Sequence, residues 1–457
     1  MKIKQELRLI LLKFMKGKAT VLIIGNGARE HTISKAYEKS SKVGKIIVAP
    51  GNDFIAYKRE KEILVDKNCS VRNLSSILDV ALKFKPDLID VAQDDALSIG
   101  AVDLLMDYGF RVFGPTKKAS EIEWDKKWSR EFMQRYSIRH PDFMYFNSET
   151  NGVNYIKKVY QQKSDKLLYV KAVGLCSGKG SKKSTNVNDG IKNVESMKHL
   201  PNDSGKIFLI EEGLLGEEFS FFAICDGTNF YCFKSSQDNK TVYNFDKGDQ
   251  TGGMGAISPA MVTSGFEEKI AKEFILKALC GLEAEGRHFK GILYLGGIIV
   301  GDEIYNIEYN ARWGDPECQV VLPALKSDYF DLVNACIDGK LQDVDFDLDE
   351  GSRVCVVAAS KGYPGNYENV KGKAIYGLEN ILEVNPITVC GAGIKMSNNK
   401  FYADGGRLFS VVGMGKDILE AKSTTYYGIS NTSIEGNNLH YRIDIGWRDI
   451  ERYFKKR

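Results

Sequence analysis

A repeated pattern of apolar strand, turn and helix at the N-terminus constrains the fold more than any other feature. The first unit has apolar residues at 21–24, then the loop Gly25-Asn26-Gly27-Ala28-Arg29-Glu30-His31, then a helical stretch to about Glu38. Further short buried strands are predicted at 45–49, 88–92 and 111–113, with helices between them at 71–84 and 97–108. Strands that alternate with helices form a parallel sheet. We therefore predict an open, mostly parallel α/β domain that ends near Pro115-Thr116.

The pattern changes after a predicted helix at 117–136, where β-branched and aromatic runs broken by glycines begin. Strands, several of them antiparallel, are predicted at 168–172, 206–212, 218–225, 229–235, 291–300, 354–359 and 408–412. Helices are predicted at 266–285 and 418–427. The predicted fold class is therefore multidomain, with an α/β N-terminal part followed by α+β parts and a β-rich C-terminal part.

Composition excludes several kinds of function. The chain has 457 residues, enough for two to four domains, and its 63 basic residues nearly balance its 60 acidic ones. This balance gives no reason to expect nucleic-acid or membrane binding. The nine cysteines are scattered and there are five histidines, so we expect a reducing compartment and neither a disulfide framework nor a zinc site. No apolar run is long enough to cross a membrane.

Residues 1–18 form a predicted N-terminal extension. The first fifteen combine basic residues with an apolar run that Lys13 interrupts, and they have no small-residue cleavage motif. An amphipathic helical extension is therefore favoured over a signal peptide. Because Met15 directly precedes the first strand, we also hypothesise that translation starts there.

The run 306–319 carries more polar chemistry than a structural turn needs. Glu308 and Asn310 are two residues apart, so on an extended strand both side chains point to one face, with Arg312 following on that face. Two oxygen ligands there suit a hard cation such as Mg2+ beside phosphate groups. The alternative is a solvated edge of a hairpin, where charged residues are common.

Two glycine loops suggest phosphate binding. The first, at 25–31, has Glu30 where a dinucleotide fingerprint needs its third glycine, and no acid ends the second strand, so NAD is disfavoured. A helix N-terminus beside Arg29 still suits a sugar phosphate. The second loop, at 174–183, follows Lys171 but lacks Walker A spacing. It fits a flexible flap over a triphosphate, or alternatively an exposed basic hairpin.

Two further segments add candidate ligand contacts. At 208–218 an apolar strand ends in acids and glycines, which would fit a purine and its ribose, although acidic strand ends are frequent. The second segment pairs Ser236-Gln237-Asp238-Asn239-Lys240 with the glycine-rich run 251–259. Three glycines in four positions permit close backbone approach to a ligand, or simply a sharp turn.

Taken in order, these motifs resemble the ATP-grasp ligases, and specifically the glycinamide ribonucleotide synthetase family of purine biosynthesis. The resemblance covers almost the whole chain. It rests on motifs at 24–31, 49–52, 113–116, 236–240, 251–255, 312–319, 359–365, 404–408 and 442–446. It implies a pre-ATP-grasp domain at 19–118, an ATP-grasp domain at 119–330 with a flap subdomain at about 138–207, and a C-terminal domain at 331–457.

The family's reaction implies roles for individual residues. Glycine carboxylate attacks the γ-phosphate of ATP, and the amine of 5-phosphoribosylamine then displaces phosphate from the glycyl phosphate. The resemblance implies a metal site for Mg2+, or Mn2+, at Glu308 and Asn310. It implies ATP contacts at Lys126, Lys171, Ser177, Gly178, Lys179, Gly180, Glu211, Glu212, Gly213 and Glu218. It implies catalytic roles for Asp238, Lys240, Arg312 and Asp315, and substrate contacts at Gly25, Asn26, Gly27, Arg29, Gly253, Met254 and Gly255.

The family also implies a cytoplasmic enzyme, a monomer or small homo-oligomer, that takes ATP, glycine and 5-phosphoribosylamine and binds neither nucleic acid nor membrane. This chain departs from the family pattern at Ala92-Gln93-Asp94, at Val173 and in the loop 241–250. Two alternatives therefore stay open. One is another ATP-grasp carboxylate–amine ligase of purine biosynthesis, and the other is a catalytically silent nucleotide-binding homologue.

Overall fold

The structure is a computed structural model that describes residues 17–174 and 180–455. Most of the predicted N-terminal extension, including Met15, lies outside the described residues, as do the predicted flap residues Ser177, Gly178 and Lys179. Within the described ranges, no helix has the length and apolar character needed to cross a membrane.

The N-terminal part is the predicted open parallel sheet. Its strands are β1 (Ala19–Gly25), β2 (Val43–Pro50), β3 (Glu62–Val65), β4 (Leu88–Val91) and β5 (Val112–Phe113). They run in the order β3-β2-β1-β4-β5, and every pairing is parallel. The helices are α1 (Ala28–Lys39), α2 (Leu74–Phe84), α3 (Asp94–Ile99) and α4 (Ala101–Asp107). The helix predicted at 97–108 is wrong in its bounds, because Gly100 adopts φ +92° between α3 and α4.

The next segment contains two short helices and a small antiparallel sheet. The helix predicted at 117–136 is two helices, α5 (Lys117–Trp124) and α6 (Lys126–Arg135), because Asp125 between them caps α6 through Trp128 N–H. The following elements are β6 (Phe143–Phe146), α7 (Glu149–Gln162), β7 (Leu168–Ala172), β8 (Ser181–Ser184), α8 (Val187–Ser196) and β9 (Phe208–Glu212). The strand order is β6-β9-β7-β8, so Lys171 on β7 lies beside β9.

A second antiparallel sheet carries the acidic strand end. The strands in this part of the chain are β10 (Glu217–Asp226), β11 (Phe230–Cys232), β12 (Gln237–Asp238), β13 (Thr241–Tyr243), β14 (Lys247–Gln250), β15 (Gly255–Ser258), β16 (Lys290–Val300) and β17 (Glu303–Asn310). Strands β11-β10-β16-β17 form one sheet, and β13 pairs with β14. The predicted helix at 266–285 consists of α9 (Glu267–Ile270), a π-helical segment and α10 (Lys277–Ala284).

The C-terminal part is rich in strands, as predicted. The helices α11 (Cys318–Val321) and α12 (Tyr329–Asp338) lead into it. Its strands are β18 (Ser352–Ser360), β19 (Ala374–Tyr376), β20 (Ile387–Gly391), β21 (Ile394–Ser397), β22 (Lys400–Ala403), β23 (Arg407–Gly415), β24 (Ser433–Ile434) and β25 (Leu439–His440). Its helices are α13 (Leu378–Ile381), α14 (Ile418–Ser430) and α15 (Trp447–Lys455). The main sheet, β12-β15-β18-β23-β20, incorporates two strands from the middle of the chain.

Asp90, in the centre of the parallel sheet, makes stability depend on pH. It is 3% exposed and accepts a hydrogen bond of 2.8 Å from the Tyr37 hydroxyl, and burial raises its pKa to about 7. The unfolded chain loses this proton near pH 4, so stability falls as pH rises from about 4 to about 7. We expect Asp90→Asn to raise the free energy of unfolding by about 2 kcal/mol at pH 8, with little gain at pH 4.

Denaturant unfolding at both pH values measures this gain. The control is Asp79→Asn, a change at an exposed carboxyl on α2 of the same domain. It should leave stability within about 0.5 kcal/mol at either pH. An equal effect of Asp90→Asn at pH 4 and pH 8 would show that Asp90 does not titrate in this range.

Candidate active site

Glu308, near the end of β17, lines a small recess formed by β10, β16, β17 and the segment that begins at β12. The lining of this recess also includes Glu218, Asp238 and Lys240. The Glu308 Oε2 atom lies 3.6 Å from Lys126 Nζ. Burial opposes ionisation, but the charges of Lys126, Lys240 and Lys171 outweigh it and hold the Glu308 pKa at about 2. Glu308 is therefore a carboxylate at any physiological pH.

Asn310 supplies an amide two residues further along the strand. Its side chain is buried, its Oδ1 accepts a 3.3 Å hydrogen bond from Arg312, and its Nδ2 has no partner among the described residues. The carbonyl oxygen retains a second lone pair. No group of three or more His, Cys, Asp or Glu side chains in the described ranges is arranged to hold a metal. One carboxylate and one amide suit Mg2+, which commonly takes one or two protein ligands together with phosphate oxygens and water.

Glu211 holds two cations at the other wall of the site. Its carboxylate is 1% exposed and forms ion pairs with Arg130 and with Lys171. Burial opposes its ionisation, but Arg130 and Lys171 lower the Glu211 pKa to about 2. The side chain predicted to take adenine is therefore fully engaged with protein cations. Its neighbour Glu212 pairs with Lys166 at 3.3 Å, and Gly213 N–H donates to Leu167.

Glu218, Lys240 and Asp238 line the same recess. Lys240 Nζ lies 3.2 Å from Glu218 Oε2, and this carboxylate raises the Lys240 pKa well above its usual value. Asp238 Oδ1 is buried and has no partner among the described residues. Burial and the Glu317 carboxylate raise the Asp238 pKa well above its usual range. Asp238 is thus a buried acid near Lys240 with an oxygen that lacks a partner among the described residues, and a hydrogen-bond donor on a ligand would satisfy that oxygen.

The first glycine loop lies against the polar run. Gly27 N–H donates a 2.6 Å hydrogen bond to Glu30, which also pairs with Arg29 at 2.6 Å. Arg29 donates in addition to the Trp313 carbonyl at 3.0 Å. A Cβ placed on Gly27 would lie 3.3 Å from Asp315 Oδ2, so the loop and Asp315 are in contact. Glu30 stands where a dinucleotide fingerprint has its third glycine, and its carboxylate holds the loop in place through Gly27 N–H and Arg29.

Arg312 lies between two acids that were not assigned a role. It pairs with Glu123 at 2.7 Å, and the same carboxylate accepts a hydrogen bond from Ala311 N–H. Burial opposes ionisation of Asp94, but Arg312 and Arg29 lower its pKa. Asp94 is the acid in the segment 92–94, where the chain departs from the family pattern, and it lies close enough to Arg312 and Arg29 to interact with both.

Arg407, from the C-terminal sheet, closes the site. Its guanidinium donates to the Gly252 carbonyl at 2.7 Å and to the Asp315 carbonyl at 2.8 Å, and it pairs with the Asp315 carboxylate at 3.2 Å. Gly253 has φ +108°, and a Cβ there would lie 2.4 Å from Pro316. Met254 and Gly255 continue as buried backbone into β15. The glycine run 252–255 is therefore packed tightly against Asp315 and Pro316.

Sequence reasoning did not assign Arg407, Arg130 or Glu123 to the site. Arg407 lies in the motif 404–408 that supports the resemblance to the family, and that motif could have identified Arg407 as a site residue. Arg130 and Glu123 lie on helices, where a charged residue most often faces solvent. Their burial, 4% and 6% exposed, becomes visible only when the helices are placed against the strands.

Replacing Arg407 should impair catalysis through misplacement of Asp315. We expect Arg407→Met to lower kcat/KM by about 10- to 100-fold, because displacements near 1 Å cost that much in oriented reactions. Arg407→Lys should recover little, because an ammonium does not match a planar fork of donors. Steady-state kinetics measures this, with Lys400→Met at an exposed position of β22 as the control. A kcat/KM within twofold of wild type would contradict a positioning role.

The fold and this cleft define the class. A parallel α/β domain, two antiparallel sheets that carry a cluster of lysines around a carboxylate, and a β-rich C-terminal part make up an enzyme of the ATP-grasp class. Three family models match in order: the phosphoribosylglycinamide synthetase N domain at residues 19–123, the ATP-grasp (A) domain at 124–318 and the C domain at 353–448. The chain belongs to the phosphoribosylglycinamide synthetase family.

Individual relatives agree with this assignment. The phosphoribosylamine–glycine ligase of Caldanaerobacter subterraneus is 36% identical over 435 residues, covering 93% of this chain and 99% of that protein. The ligase of the same name from Fusobacterium nucleatum is 35% identical over 435 residues, covering 93% and 98%. The crystal structure of that ligase from Thermotoga maritima superposes with a TM-score of 0.76 at 28% identity, covering 93% of this chain and 100% of that one.

Proposed function

We propose that this chain ligates glycine to 5-phosphoribosylamine at the expense of ATP, giving glycinamide ribonucleotide, ADP and phosphate in purine biosynthesis. The observation that carries the proposal is the match to all three family domains in order, joined to a cleft in which Glu308, Lys171 and Lys126 converge. In such a reaction the protein mainly positions the reactants and neutralises charge.

The ATP-grasp class uses ATP with a divalent metal, and we assign that metal, Mg2+ or Mn2+, to Glu308 and Asn310. The bound ion would neutralise charge on the transferring phosphate. Glu308, ionised and backed by three lysines, would hold it without needing to lose a proton. The site offers oxygen ligands only, and these suit Mg2+ and Mn2+ alike.

The ATP contacts are assigned to the two facing sheets. Lys126 and Lys171 would pair with phosphate oxygens, with Ser177, Gly178, Lys179 and Gly180 as a flap above them. Glu211 would act through Lys171, which it holds in place. The purine would lie near Glu212 and Gly213, whose N–H groups already donate to the carbonyls of Asp142 and Leu167. Glu218 would accept from ribose hydroxyls, exchanging part of its contact with Lys240.

The acceptor side is assigned to the polar run and the glycine loops. A carboxylate oxygen of glycine attacks the γ-phosphorus and the bond to ADP breaks. The phosphoribosylamine nitrogen then attacks the glycyl carbonyl carbon, loses a proton, and phosphate leaves. Asp238 would take the glycine ammonium group, since it is an unpartnered buried acid. The second nucleophile would be held by Gly25, Asn26, Gly27, Arg29 and the backbone at 253–255, with Lys240, Arg312 and Asp315 balancing charge.

We further propose that the reaction takes place in the cytoplasm, on small molecules alone, with the chain as a monomer or small homo-oligomer. The division into a pre-ATP-grasp domain at 19–118, an ATP-grasp domain at 119–330 and a C-terminal domain at 331–457 is part of this proposal. Size-exclusion chromatography with light scattering measures the oligomeric state directly.

Phosphate release by the purified chain tests the activity. The mixture contains ATP, Mg2+, glycine and freshly generated phosphoribosylamine, and each is omitted in turn. The proposal expects release only when all four are present, with a product of the mass of glycinamide ribonucleotide. Phosphate release that requires formate or bicarbonate in place of glycine would show that the chain is another carboxylate–amine ligase. No release with any acid would support the silent homologue.

A further inference from the structure

A second cavity lies behind the active site, where three parts of the chain meet. Its volume is about 220 Å3, which is smaller than a typical site for a drug-sized ligand and suits only a small molecule. It is bounded by α1 of the N-terminal domain, by the segment Gln319–Tyr329 and by Thr388 and Cys390 on β20. It shares no lining residue with the recess at Glu308. A molecule bound here would therefore be distinct from the substrates of the proposed reaction.

The cavity carries unbalanced positive charge. Lys35 and Lys39 are four residues apart on α1, so their ammonium groups share one helix face. Neither makes an ion pair with a carboxylate of the described residues, and burial lowers the pKa of each. The one acid in the lining, Asp328, is already engaged by Ser40 at 2.7 Å and by Phe330 N–H at 2.9 Å. A dianion would relieve the repulsion of the two lysines.

The remaining lining indicates what the anion is attached to. Ala36, Leu322, Pro323 and Leu325 supply apolar surface, which suits a carbon body. Gln319 also lines the cavity, is 1% exposed, and has an Oε1 without a partner among the described residues. A buried acceptor left unpaired is costly, and a ligand hydroxyl would satisfy it.

We propose that this cavity binds a small phosphate monoester whose carbon body carries hydroxyl groups. The phosphate contacts Lys35 and Lys39, and a hydroxyl of the ligand donates to Gln319 Oε1. The Nε2 of Gln319 donates to Asp315 Oδ1 at 2.7 Å. Binding in the cavity is therefore transmitted by a single side chain to Asp315 of the candidate active site.

Reductive labelling with pyridoxal 5′-phosphate tests the site on the unmodified full-length chain. The reagent is a phosphate monoester whose aldehyde condenses with an unprotonated amine, and borohydride then fixes the product. Saturating MgATP is present to protect the lysines near Glu308. The proposal expects Lys35 or Lys39 to be labelled on the order of tenfold faster than Lys85, an exposed lysine of the same domain, because a phosphate held by one of the two lysines brings the aldehyde to the other. Peptide mapping reads both positions, and equal rates would overturn the proposal.

Competition then identifies the ligand class. Glycerol 3-phosphate should protect Lys35 at a lower concentration than inorganic phosphate does, because it adds the hydroxyl and carbon contacts. Lys39→Gln should raise the protective concentration about tenfold, while Lys85→Gln should leave it unchanged. Protection by neither compound would overturn the site. Equal protection by both would overturn the assignment of a monoester.

Discussion

Glu308→Gln should abolish ligation while the protein stays folded. The substitution keeps the shape of the side chain and removes the carboxylate that would hold the metal against the phosphates. A lost metal clamp removes several kcal/mol of transition-state stabilisation, which corresponds to about a thousandfold in kcat. Lys171 and Lys240 keep their ion pairs with Glu211 and Glu218, but the loss of a metal ligand should raise the Mg2+ concentration needed for half-maximal rate.

Two measurements separate loss of chemistry from loss of fold. The first is the rate of phosphate release at several Mg2+ concentrations, and the second is circular dichroism of the same preparations. The control is Glu303→Gln, which removes an exposed carboxylate on the same strand that pairs with Arg139 at the surface. The control should keep kcat within about twofold, because surface ion pairs contribute little. Turnover of Glu308→Gln near the wild-type rate would show that Glu308 does not bind the metal.

The elements of the N-terminal domain were predictable because their signal is local. Strands β1, β2 and β4 are buried on both faces, so each reads as a continuous apolar run, and the glycine loop after β1 marks the turn into α1. One error is strand β3, which was not predicted, and the others occur where one residue breaks a predicted helix. Gly100 adopts φ +92° and Asp125 caps a new helix, and neither event changes the apolar periodicity enough to be read beforehand.

From residue types and spacing alone, the candidate site was predictable only where it is contiguous in sequence, and the distant residues Lys126, Lys171 and Lys240 came from the resemblance to the family. Glu308, Asn310 and Arg312 lie within five positions, so their types and spacing carried the prediction of a metal and phosphate site. Arg407 reaches Asp315 from 92 positions away, and Arg130 reaches Glu211 across 81. Such contacts depend on how whole sheets pack together, and no local pattern encodes that packing. Glu211 shows the consequence, because its strand was predicted but its pairing with two buried cations was not.

Glu211→Gln should destabilise the ATP-binding half of the protein strongly. Glu211 is 1% exposed and compensates both Arg130 and Lys171, whose side chains are 5% and 11% exposed. Removing one partner of a buried ion pair leaves uncompensated charge and costs 3–5 kcal/mol. Because the amide retains some hydrogen bonding, we expect a loss of about 3 kcal/mol at pH 7. Lys171 should also lose its fixed position, so the affinity for MgATP should fall.

The pH dependence of this loss gives a second test. The Glu211 carboxyl has a pKa of about 2 in the folded chain and near 4.5 when unfolded, so its stabilising contribution is complete above about pH 5. It is lost as pH falls toward 2, and the gap between wild type and Glu211→Gln should narrow over the same range. Glu212→Gln, at the adjacent and partly exposed carboxylate that pairs with Lys166, is the matched control and should cost less than about 1 kcal/mol. Urea unfolding at pH 7 and pH 4, with calorimetric titration of MgATP, measures both effects. Equal stability of the two variants at pH 7 would show that Glu211 does not compensate the two buried cations.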